Sequence, residues 1–196
     1  IVACASTGNT SASMASYAAV AGMKAIIFIP EGKIAYGKLS QALAYGGKTL
    51  QKQGDFDVAM EVVQEVCTKL TLYILNSINP FRIEGQKTIM VEMMDQRDWN
   101  PPDWIVLPGG NLGNTSAFGK ALREMVALGL IRRSPRLAVV QATGSAPFYN
   151  LLQGSNRSKL NAVENPETLA TAIRIGDPVS WPKALHEVIS SGGVVE

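Results

Sequence analysis

The chain has 196 residues, 46% of them hydrophobic and 17% charged, an ordinary globular composition with material for one good core or two small ones. Eighteen basic residues against sixteen acidic ones leave a formal charge of +2 with no long basic run, which argues against nucleic acid and an anionic membrane surface as partners. No apolar run is long enough to span a bilayer, and no signal-peptide pattern opens the chain.

Short β-branched runs alternate with helical patterns, the sequence form of βαβ units on a mostly parallel sheet. Ile1-Val2-Ala3-Cys4 reads as the second half of a buried strand running into a Gly/Ser/Thr loop. A helix is predicted over 11–21, ended by Gly22, then a strand over 25–29 ended by Pro30 and a helix over 38–45 ended by Gly46. A strand over 48–51, a helix over 56–69 and a strand over 72–75 follow. Residues 76–80 break the pattern, and a domain crossing is expected there. Residues 1–80 would be most of a small mobile domain, and 81–196 part of a large one. Beyond it come a helix over 85–95, a strand over 104–107, a helix over 115–128 ended by Gly129, a strand over 137–141, and helices over 147–153 and 182–190. Gly192-Gly193 stops the last helix before what reads as the start of another strand at Val194. Both ends read as cut in mid-strand, so the chain is expected to be an internal piece of a longer protein.

Cys4 and Cys67 stand far apart with no ligand cluster, which disfavours a disulfide scaffold and a zinc module; they read as buried free thiols of a reducing, cytoplasmic compartment. The single histidine, His186, leaves little room for a Ser-His-Asp triad and none for a multi-histidine site, so no metal is expected.

Two loop-to-helix junctions share one short sequence. Gly8-Asn9-Thr10-Ser11-Ala12 returns as Gly113-Asn114-Thr115-Ser116-Ala117, each between a predicted strand and a predicted helix. Unpaired N–H groups at a helix start attract an anion, and glycine lets it come close. Asn, Thr and Ser are also plain helix caps, and both readings stand at this point. The second junction is richer than a cap needs, with Pro108-Gly109-Gly110-Asn111-Leu112-Gly113-Asn114 following an apolar strand. It is neither a P-loop nor a dinucleotide fingerprint, which leaves a phosphorylated ligand other than a nucleotide.

Ser6-Thr7-Gly8-Asn9-Thr10-Ser11-Ala12-Ser13 resembles the loop that grips substrate carboxylate and cofactor in pyridoxal-phosphate enzymes of the tryptophan-synthase β-like fold (fold type II), and Gly109-Gly110-Asn111-Leu112-Gly113-Asn114 resembles their cofactor-phosphate loop. Within that superfamily, the run from Asn76-Ser77-Ile78-Asn79-Pro80-Phe81-Arg82 through Ile83-Glu84-Gly85-Gln86-Lys87-Thr88 is similar to the threonine synthases, as is Asp177-Pro178-Val179-Ser180-Trp181-Pro182. The resemblance implies a three-layer, doubly wound α/β fold of mostly parallel sheets, incomplete at both ends. It implies a lyase that converts O-phosphohomoserine and water into threonine and phosphate, in a full-length homodimer. By motif, Ser6, Thr7 and Thr10 would hold the substrate carboxylate together with Asn9, whose side chain would also reach the pyridoxal 3′-oxygen. Gly110, Asn111, Leu112, Gly113 and Asn114 would offer backbone N–H groups to the cofactor phosphate, and Asn76, Ser77 and Arg82 would take the substrate phosphate. The Schiff-base lysine of such enzymes sits in a Ser-Phe-Lys-Asp-Arg type motif that the chain does not contain; it is expected upstream of Ile1, and no catalytic residue is assigned within the chain. A serine/threonine dehydratase or another β-replacing enzyme of the same fold, and a non-catalytic ligand-binding module, remain as rivals.

Overall fold

A computed structural model of the chain describes residues 1–6, 8–30, 36–53, 56–76 and 79–196, with side chains at all of these except 30, 36–38, 52 and 56–61. It divides into two compact units, Ile1–Asn79 and Pro80–Glu196.

The first unit is an α/β/α sandwich. Strands β1 (Val2–Ala5), β2 (Ala25–Pro30), β3 (Lys48–Lys52) and β4 (Tyr73–Ile74) form a parallel sheet in the order β3-β2-β1-β4. Every residue of the central strand β1 is buried, as expected of a parallel strand covered on both faces. Val2 and Cys4 face a cluster with Met14, Ala15 and Ala18 of helix α1 (Asn9–Val20) and Ala42 of helix α2 (Tyr36–Ala44). Ala3 and Ala5 face the other side, with Phe28 and with Val63 and Cys67 of helix α3 (Phe56–Leu70). The two thiols are therefore buried on opposite faces with no disulfide between them, and burial pushes the Cys67 thiol up from its ordinary pKa.

The second unit has a parallel sheet of β5 (Trp104–Pro108), β6 (Arg136–Val140) and β7 (Val194–Val195), in that order. In β5 and β6 buried and more exposed positions alternate. Ile105, Leu107, Leu137 and Val139 enter a single core with Ile83 of helix α4 (Phe81–Gln86), Met90 and Met94 of α5 (Thr88–Asp95), and Phe118 and Leu122 of α6 (Gly113–Ala127). Helices α7 (Pro147–Gln153) and α8 (Trp181–Ser190) complete it through Phe148, Leu151, Ala184 and Val188. Gly119 of α6 lets α8 come close, since a Cβ there would stand 2.2 Å from Glu187 Cβ.

The predicted α/β class and the strands stand, with ends shifted by a residue or two. The helix predicted over 85–95 is instead the pair α4 and α5, meeting at Lys87. It starts four residues earlier because Pro80, with φ −63° and no N–H to satisfy, opens a helix readily. Among the described residues no helix is long and apolar enough to cross a membrane, and no group of metal-ligating side chains occurs.

Candidate cofactor and substrate loops

In the first unit the loop after β1 is fixed by a side chain distant in sequence. Asn76, only 3% exposed, accepts a hydrogen bond from the Ala5 N–H at 2.8 Å through Oδ1 and donates through Nδ2 to the Ala5 carbonyl at 3.0 Å. The amide thus extends the ladder that Leu75 N–H begins on the Ala3 carbonyl, and it holds the peptide immediately before Ser6. Ser6 is half-buried, its N–H donating to the Phe28 carbonyl at 3.2 Å and its Oγ accepting from Gly8 N–H at 3.1 Å. Gly8 caps α1, and its carbonyl accepts from Ser11 Oγ at 2.7 Å. The helix was expected from Ser11 but starts at Asn9, so Asn9 and Thr10 lie in the first turn, where backbone N–H groups have no intrahelical partner. Asn9 is exposed and Thr10 half-buried. Thr7 and Ser77 lie outside the described residues.

In the second unit the glycine loop leaves β5 and enters α6. Gly109 N–H still donates to the Val140 carbonyl at 2.7 Å, and the Gly109 carbonyl accepts from Gln141 Nε2 at 3.0 Å. The buried Gln141 amide also accepts, through Oε1, from Phe148 N–H at 2.9 Å and Tyr149 N–H at 3.0 Å, tying the loop to the start of α7. Gly109 is obligatory for this approach: a Cβ there would stand 2.7 Å from Val139 Cγ1 and 2.8 Å from Gln141 Cγ. The backbone turns at Leu112 through the left-handed region (φ 62°), so α6 begins at Gly113 rather than at the expected Thr115. The two echoed sequences are consequently used differently, Gly8 as a cap and Gly113 as the first helical residue.

Asn111 Oδ1 accepts from Val179 N–H at 2.9 Å, and Ser116 Oγ bonds the Ser180 carbonyl at 3.3 Å, so the 177–182 segment braces the loop. With the Asn111 side chain so engaged, the backbone N–H groups of Gly110 to Asn114 are left without a partner among the described residues. That set suits a phosphate: backbone donors, a helix start of fifteen residues behind them, and a Gly110 whose Cβ would press to 3.3 Å on Ile173. The loop therefore fits the phosphate of pyridoxal phosphate.

The pyridoxal-phosphate dependent enzyme family matches residues 1–195. The chain belongs to that family. Among family relatives it is 49% identical over 197 residues to a threonine synthase of Methanocaldococcus jannaschii, covering all of this chain and 48% of that protein. It is 49% identical over 195 residues to one of Methanosarcina acetivorans, again covering all of this chain and 48% of the relative. The chain thus spans about half the length of the curated relatives it matches. Among solved structures, maize serine racemase matches with a TM-score of 0.80 at 23% identity, covering all of this chain and 56% of that one. A processed threonine deaminase isoform of Solanum lycopersicum matches with 0.79 at 20%, covering all of this chain and 54% of that one. These structures show the family's fold alone.

Arg82 sits half-buried on α4, and α4 is lashed to α6. Lys87 pairs with Glu84 at 2.7 Å and with Glu124, while Lys120 pairs with Glu84 and lies 3.7 Å from Glu124 Oε1. Hydrogen bonds from Lys120 and then Lys87 hold the Glu84 carboxyl down to about 2. Glu124 and Glu84 in turn hold Lys87 above its ordinary range. The ion pairs of Glu84 and Lys87 thus tie α4, the helix that carries Arg82, to α6. Gln141 escaped the sequence reading, which ended a strand on it; a glutamine closing an apolar run was the available signal.

Proposed function

We propose that the full-length protein is a threonine synthase, converting O-phosphohomoserine and water into L-threonine and phosphate. One observation carries the reading: the match to named threonine synthases runs along the whole chain at 49% identity. The threonine deaminase and serine racemase structures, at 20–23%, share the fold only.

Pyridoxal phosphate, when bound, supplies an electron sink that stabilises a carbanion beside the amino-acid nitrogen. The roles assigned to this chain are recognition and exclusion of water. Ser6, Thr7 and Thr10, with the first-turn N–H groups of α1, hold the substrate carboxylate. Asn9 shares that carboxylate and hydrogen-bonds the pyridoxal 3′-oxygen. The backbone of Gly110, Asn111, Leu112, Gly113 and Asn114 holds the cofactor phosphate. Asn76, Ser77 and Arg82 take the substrate phosphate, the guanidinium fork meeting two of its oxygens. Beyond its bonds to Ala5, Asn76 has one amide hydrogen with no partner among the described residues to offer for this purpose. We place the lysine that joins the cofactor upstream of Ile1, and the full-length protein as a homodimer in the cytoplasm.

Full-length protein with pyridoxal phosphate and O-phosphohomoserine should release inorganic phosphate and threonine in equal amounts. Formation of a keto acid and ammonia from serine or threonine, without turnover of the phosphorylated substrate, would replace this reading with a dehydratase.

A further inference from the structure

Two side-chain atoms are buried without a hydrogen-bond partner among the described residues, Gln86 Oε1 and Thr115 Oγ1. Both lie at the start of α6, Thr115 on that helix and Gln86 at the end of α4 beside it. Thr115 is fully buried on its first turn. The Gln86 amide lies against its first residue, since a Cβ on Gly113 would stand 3.4 Å from Oε1 and 3.9 Å from Nε2. Elsewhere buried polar side chains such as Asn76, Gln141 and Ser145 are bonded within the fold, so orphans gathered at one helix start mark a place where something else completes the set. A side-chain amide exchanges its oxygen and nitrogen by a half-turn, after which the buried position beside Gly113 is a donor.

We propose that Gln86 is a further phosphate-binding residue, its side-chain amide donating a hydrogen bond to the anion held by the loop from Gly110 to Asn114. The proposal rests on the reading that this anion is the cofactor's phosphate. Arg82 and Gln86 are four residues apart on α4 and so share one face of it. The helix assigned to the substrate phosphate therefore carries, one turn on, a contact to the cofactor phosphate. The ion pairs of Lys87 and Glu84 with α6 hold that geometry.

The test is equilibrium binding of pyridoxal phosphate and of unphosphorylated pyridoxal, by absorbance and dialysis, to full-length wild type, Gln86→Glu and Gln86→Leu, with apo-protein melting as a check on folding. The glutamate puts a negative charge where a donor is needed and should weaken pyridoxal phosphate by about tenfold or more; the leucine, which only removes the donor, should weaken it by roughly threefold to tenfold. Pyridoxal binding should be unchanged in both. Equal losses for the two ligands, or no loss for pyridoxal phosphate, overturns the role of Gln86. A wild type that binds pyridoxal as tightly as pyridoxal phosphate would instead overturn the cofactor reading of the loop. If the glutamate variant does not fold, the leucine variant decides alone.

Discussion

Asn76 shows how a residue assigned to a ligand can first be part of the scaffold. Its amide satisfies both the N–H and the carbonyl of Ala5 at the start of the loop after β1. Asn76→Leu keeps the bulk and orphans both, which should cost about 1–3 kcal/mol for each group left unpaired, read by urea unfolding. Gly109→Ala drives a methyl into Val139 and Gln141 and should cost about 1–3 kcal/mol, with displacement of the loop visible as weaker pyridoxal phosphate binding. Unchanged stability in either variant would contradict the geometry described. Sequence alone marked the loops because glycine and small polar residues between a strand and a helix are a local signal. It could not mark Asn76 as the partner of Ala5, or Gln141 as the partner of Gly109, because such pairings exist only after the strands align.

At the scale of elements, α4, α6 and α8 form one block. Gly119→Ala would bring a methyl to 2.2 Å from Glu187 Cβ and push α8 from α6, at about 1–3 kcal/mol, seen as a lowered midpoint of chemical unfolding. The ion pairs between α4 and α6 carry a pH signature. Glu84 is held at about 2 against an ordinary 4.5, so its stabilisation is present above 4.5 and is lost as pH falls from 4.5 through 2. Lys87, raised, contributes below its ordinary 10.5 and loses that contribution as pH rises beyond it. Glu84→Gln should therefore destabilise at neutral pH by an amount that vanishes near pH 2 and shrinks with added salt, since the carboxylate is 43% exposed. A pH-independent difference would mean these pairs contribute nothing. Helix starts were the least legible features. Asn9, Phe81 and Gly113 each begin a helix before the apolar period does, because capping geometry at Gly8, Pro80 and Leu112 decides the first turn.

For the whole molecule, the alternation of strands and helices gave the α/β class, since parallel neighbours need a crossover and a helix is the usual one. The order β3-β2-β1-β4 and the separate sheet β5-β6-β7 were not legible, because they depend on pairings between strands remote in sequence. The alternating burial of β5 and β6 was hidden by the uniformly apolar residues at Ile105 to Leu107 and Leu137 to Val140. The family was legible through the resemblance of whole loops, and membership follows from the match over residues 1–195. We propose that this chain serves an enzyme built for a phosphorylated amino acid. The most direct test of this is kcat/KM of the full-length enzyme for O-phosphohomoserine and for serine, in wild type, Arg82→Ala and Arg82→Lys. A loss of roughly tenfold to a hundredfold is expected for O-phosphohomoserine in the alanine variant, with partial recovery for lysine and little change for serine. Equal losses for both substrates would contradict it.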